Sequence, residues 1–97
     1  MKNAMRPIHP GEILREELAE LSLSANALAG ALGVPANRIT GIMKGQRAIT
    51  ADTSLRLARY FGTTPEFWMN LQIAYEIRKA EAETGKHIER IVQPRAA

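Results

Sequence analysis

Ninety-seven residues, 45% of them hydrophobic and 24% charged, provide apolar surface for one core, and the composition excludes a disordered tail and a disulfide scaffold. With no cysteine, structural disulfides, thiol catalysis and cysteine-ligated zinc are excluded together. The formal charge of +3 is modest but uneven: from Arg38 to Arg59 the chain carries Arg38, Lys44, Arg47, Arg56 and Arg59 against Asp52 alone, the window where a polyanion docks.

No stretch approaches the roughly 18 to 20 apolar residues of a membrane span, and the opening MKNAMRPIHPGE lacks the apolar run of a signal peptide. The expectation is a cytoplasmic, nucleoid-associated protein with no membrane partner. Residues 1–97 read as a single domain with a core over about 8–84 and a partly ordered tail over 85–97.

Punctuation residues cut the chain into five short helices. His9-Pro10-Gly11-Glu12 opens the first, with Pro10 near the position where a missing N–H does no harm and Glu12 favoured by the helix dipole. Ile13, Leu14, Leu18 and Leu21 recur near helical spacing, while Glu12, Glu16, Glu17 and Glu20 take the wet face. Ser24 caps a second helix that ends at Gly33, and Pro35 restarts the chain into a third running through Lys44 and closed by Gly45. A fourth follows Thr50 and stops at Gly62. The fifth has Thr64 as cap and Pro65 at its first position and runs to about Thr84. Ile88, Ile91 and Val92 form either a last helical turn or a short extended segment. Short connections and no alternating apolar pattern predict an all-α bundle.

The informative segment is ANALAGALGVPANRITGIMK, residues 25–44. Two short helices cross steeply through a tight turn only where the contact side chain is small and the turn tolerates positive φ; Ala29 and Gly33 meet those needs. Leu28, Leu32 and Val34 then share a core with Ile39 and Ile42. This pattern resembles the helix-turn-helix of the Xre/Cro/phage-repressor family, whose second motif helix lies in the DNA major groove. With Ile39, Ile42 and Met43 inward, the helical period turns Ala36, Asn37, Thr40, Gly41 and Lys44 outward and Arg38 towards the flank.

Asn37 can pair bidentately with adenine, Arg38 with guanine where it reaches the groove floor, and Ala36 or Thr40 can meet a thymine methyl. Ser24, Lys44, Gln46 and Arg47 hold phosphates, and Pro35 starts the DNA-facing helix. Gly41, which costs about 1 kcal/mol inside a helix, either brings the backbone close to the groove or makes room against another helix. Ala36 and Gly41 offer little to bond with, so specificity leans in part on DNA shape.

The resemblance extends beyond the motif. HPGEILREEL at 9–18, GIMKGQRAIT at 41–50, ADTSLRLARYFGTTPEFWMNLQIAYEI at 51–77 and a closing IERI are similar to the HigA family of addiction-module antitoxins, also called VapI-type proteins. The resemblance implies a lambda-repressor-like five-helix bundle with a helix-turn-helix. It also implies a homodimer that represses its own toxin–antitoxin operon and neutralises a HigB/RelE-like ribonuclease toxin. A dimer reads a pseudo-palindromic double-stranded operator with half-sites about 34 Å apart. FWMNLQ, residues 67–72, is the most family-specific string and resembles the start of the dimer-building helix, with Phe67, Trp68, Leu71 and Tyr75 as its contacts.

Blander readings stand beside these. Phe67, Trp68, Leu71 and Tyr75 share one helical face, so core packing accounts for them as well as dimer contact does. Arg56 and Arg59 fit a solvated helix face or phosphate contact. His9 with Glu12 fits helix initiation, since His87 is the only other histidine and no ligand cluster accompanies either; no metal, cofactor or catalytic residue is expected. Two other functions compete: a free-standing Xre-type repressor without a toxin, and an interaction module that no longer meets DNA. Toxin contact falls on the N-terminal arm, the tail or the acidic face of Glu12, Glu16 and Glu20. The acidic face ranks first because the implied ribonuclease is basic.

Overall fold

The computed structural model describes residues 6–96. The sequence expectation for the opening MKNAMRPIHPGE falls in part on residues 1–5, which lie outside the described residues, as does position 97. Among the described residues there are five helices and no strand: α1 (Pro10–Leu21), α2 (Ala25–Leu32), α3 (Ala36–Met43), α4 (Ala51–Phe61) and α5 (Pro65–Ile91).

Local capping chemistry sets these boundaries. At their N-termini Ser24 Oγ accepts from the Ala27 N–H, Thr50 Oγ1 from Thr53 N–H and Thr64 Oγ1 from Phe67 N–H, while Pro10 and Pro65 sit in the first turns of α1 and α5. Gly33 and Gly62 close α2 and α4 in the left-handed region at φ 73° and 75°. Ser22, at φ 53°, does the same for α1 without being glycine. Its N–H donates to Ala19 C=O and that of Leu23 to Leu18 C=O, satisfying carbonyls the helix end leaves open.

Leu14 and Leu18 of α1, Leu28, Ala29 and Leu32 of α2, Ile39 and Ile42 of α3, Leu57 and Ala58 of α4 and Trp68 of α5 are buried together with Ile49. The predicted shared core under the helix-turn-helix is therefore present, with Val34 and Met43 packed at its edge.

α5 departs from the expected end near Thr84. It continues through Gly85, so Ile88 and Ile91 lie in its last two turns and the chain becomes extended only at Val92. Ala80, Glu81, Ala82, Glu83 and Lys86 near the glycine are good helix formers, and the Lys79–Glu83 and Arg78–Glu81 pairs support the preceding turns. Together they outweigh the roughly 1 kcal/mol a helical glycine costs. The distal half of α5 leaves the body: only Trp68 and Gln72 of this helix are buried. The radius of gyration is accordingly 16.3 Å, against about 13 Å for a compact chain of 100 residues. No helix of the described residues is long and apolar enough to cross a membrane.

Candidate nucleic-acid interface

The turn between α2 and α3 is built as the small residues require. Ala29 is 2% exposed at the helix contact. Gly33 N–H donates to Gly30 C=O and Val34 N–H to Ala29 C=O, a closed left-handed cap that reverses the chain. Pro35 then enters α3 extended, without a side-chain cap, so the first amides of α3 are not claimed by a neighbouring hydroxyl or carboxylate.

On α3, Ile39 and Ile42 are fully buried. Pro35, Ala36, Asn37 and Lys44 are exposed, and Arg38, Thr40 and Gly41 are half-buried. Gln46 and Arg47, in the following turn, are exposed, as is Ser24 at the start of α2. The residues expected to meet DNA thus lie along α3 and on the two segments beside it. At Gly41 a Cβ meets Arg47 Cβ at 3.3 Å, and the Gly41 carbonyl accepts from both Gln46 N–H and Arg47 N–H. The glycine makes room for the turn after α3 rather than for another helix.

Arg38 does not stand free. Its Nη1 donates to Asp52 Oδ2 at 2.7 Å, and the same oxygen accepts from Arg56 Nε at 2.9 Å. Hydrogen bonds from Arg38 and then Arg56 hold the Asp52 carboxyl below its ordinary value. Arg56 reaches on to α2, donating from Nη1 to Leu32 C=O at 2.8 Å. It is therefore a clip between elements, which neither the solvated-face nor the phosphate reading anticipated. Arg38, Arg47, Arg56, Thr50 and Thr53 surround Asp52 in a notch of about 400 Å³ beside α3. Three guanidiniums against one carboxylate make this notch cationic.

Gln72 also escaped the sequence reading. Gln72, 4% exposed, accepts from Ile49 N–H at 2.8 Å and donates to Glu76 at 2.9 Å, fastening the segment after α3 to α5. The Asp52–Arg56 spacing of four was a visible signal for a pair; nothing local signalled Gln72 to Ile49.

The four residues expected at a dimer contact do not form one open face. Trp68 is 2% exposed, donates from Nε1 to Thr63 Oγ1 at 3.0 Å and packs against Phe61 and Phe67. It belongs to the core because α4 and α5 close over it, and it is unavailable to a partner. Leu71 and Tyr75 are half-buried, Tyr75 with its ring edge-on to His9, and Phe67 is exposed. Beyond Phe67, the large apolar residues that α5 leaves open are Ile73, Ile77, Ile88 and Ile91. His9 is the N-cap of α1 through Nδ1, as helix initiation requires. Glu12 is held by both terminal nitrogens of Arg6, each at 2.9 Å.

The helix-turn-helix family model matches residues 14–68. The virulence-associated protein I of Dichelobacter nodosus is 57% identical over 83 residues, covering 84% of this chain and 77% of that protein. Among solved structures, an addiction module antidote protein of the HigA family from Coxiella burnetii superposes with a TM-score of 0.92 at 62% identity, covering 94% of this chain and all (100%) of that one. The Pseudomonas aeruginosa antitoxin HigA, solved with the higBA promoter, gives a TM-score of 0.91 at 51% identity, covering 94% and 100%. The shared fold, the matched motif and these identities place the chain in a family of regulators rather than enzymes: it belongs to the HigA family of helix-turn-helix antitoxins.

Proposed function

We propose that this chain binds its own operator as a homodimer, laying α3 in the major groove, represses the operon that encodes it and neutralises a HigB/RelE-like ribonuclease. The observation that carries the reading is the exposed line of Ala36, Asn37 and Lys44 on α3, flanked by the arginine notch. It offers one side chain suited to base edges and several suited to phosphates. The relative solved on promoter DNA supports the same use of the motif.

Dimerisation draws support from α5, whose protruding half carries exposed isoleucines that the body of the protomer does not cover. Toxin contact is assigned to the acidic face of α1, where Glu16 and Glu20 are exposed. Glu12 contributes less, being paired with Arg6.

Footprinting on the promoter upstream of its own gene tests DNA binding; protection of two half-sites about 34 Å apart is expected. Affinity falls steeply with salt through counterion release, and Lys44→Ala lowers the log–log slope by about one unit. Absence of protection refutes the repressor reading. Co-expression with the adjacent small reading frame tests the toxin: co-purification and rescue of growth are expected, and neither occurs for a free-standing repressor.

A further inference from the structure

We infer that Asp52 is a positioning residue for operator discrimination: its carboxylate fixes the Arg38 guanidinium beside the DNA-facing helix before DNA arrives. The inference rests on the proposed DNA reading and adds to it a residue that touches no base.

A single oxygen, Oδ2, accepts from Arg38 on α3 and Arg56 on α4, and Arg56 donates in turn to Leu32 C=O at the end of α2. The three helices of the DNA-facing side are thus tied through one carboxylate. Stability does not account for this arrangement. The side chains are 31%, 56% and 40% exposed for Arg38, Asp52 and Arg56, and ion pairs that open to water contribute little.

Affinity for DNA does not account for it either, because a carboxylate bordering a cationic notch repels a polyanion. Orientation does. An arginine side chain carries large rotamer freedom, and ordering it in advance removes that cost from the bound state. Asp52 stands in the first turn of α4, where the helix dipole favours its charged form.

The test measures binding of the full-length protein to its promoter duplex and to a scrambled duplex of equal length, over a range of salt. In Asp52→Asn the scrambled duplex binds more tightly and the ratio of promoter to scrambled affinity falls about tenfold, the scale of one loosened base contact. Asp52→Glu, which keeps the charge, restores most of that ratio. In the Asp52→Asn/Arg38→Ala double variant the ratio is no lower than in Arg38→Ala alone, since the two residues act as one unit.

Circular dichroism confirms that each variant is folded. An unchanged ratio in folded Asp52→Asn overturns the inference, and so do losses that add in full. If the wild-type protein itself fails to separate promoter from scrambled DNA, the DNA reading fails first and the inference with it.

Discussion

Gly11 and Ile42 meet backbone to backbone: a Cβ on Gly11 overlaps the Ile42 carbonyl, so α1 and the end of α3 pack at a distance only glycine permits. Because the obstacle is main chain, no rotamer change relieves it. Gly11→Ala is expected to destabilise by about 3 kcal/mol, at the upper end of overpacking effects, lowering Tm by about 10 °C or more. Gly30 is the control. It is helical and exposed with nothing within 4 Å of an added Cβ, so Gly30→Ala raises stability by about 0.5–1 kcal/mol. Thermal unfolding that gave the two variants shifts of the same sign would contradict this account.

The amide pair at Gln72 carries a second expectation. Gln72→Leu leaves the buried Ile49 N–H without an acceptor, a loss of about 1–3 kcal/mol. Gln72→Glu keeps the acceptor but sets two carboxylates together, because Gln72 Nε2 now donates to Glu76. The exchange Gln72→Glu/Glu76→Gln recovers stability that Gln72→Glu alone loses. Denaturant titration of these three variants and of Glu76→Gln decides the matter, and a double variant whose loss is the sum of the Gln72→Glu and Glu76→Gln losses refutes the shared contact.

What was legible in the sequence is what short-range chemistry writes. Ser24, Thr50 and Thr64 cap helices and Gly33 and Gly62 end them through bonds spanning a few residues, so boundaries followed from local residue types. The same holds for the small contact at Ala29 and the inward Ile39 and Ile42, where a helical period suffices. The missed features are pairings across the chain. Arg38 finds Asp52 fourteen residues away, Arg56 finds Leu32 C=O and Gln72 finds Ile49. Periodicity put Trp68 on the same face as Phe67, yet only the closure of α4 over α5 decides that one is buried and the other exposed. Gly85 misled for the opposite reason: a local helix terminator lost to its neighbours.

Stability should depend on pH through His9. Burial lowers its pKa from the ordinary value, opposed by the charge of Glu12 and a backbone hydrogen bond to Arg47. Its Nδ1 accepts from Gly11 N–H, so the neutral ring carries its proton on Nε2, and protonating Nδ1 abolishes the cap. The folded state binds fewer protons than the unfolded state. The stabilisation is therefore complete above about pH 6.5 and is lost as pH falls through the folded-state value. Glu12 and Asp52, whose values are also lowered, act with the same sign but in the carboxylate range, at lower pH. His9→Asn retains a capping acceptor and should flatten Tm between about pH 5 and 7. An unchanged slope in that variant assigns the effect elsewhere.

The exposed side of α5 predicts the oligomeric state. At 3.6 residues per turn, Ile73, Ile77, Ile88 and Ile91 fall within about 60° of one another, and they are exposed by 48%, 48%, 48% and 63%. Such a stripe along a helix that stands off from its own body suits a second copy of the same helix. Ile73→Lys/Ile77→Lys should leave the helical circular dichroism unchanged, because neither side chain enters the core, and should convert the proposed dimer to a monomer in sedimentation. Operator affinity then drops by about a hundredfold or more as the two half-sites cease to be bound together. A double variant that sediments as the wild-type protein does, at micromolar concentration, would remove α5 from the dimer contact.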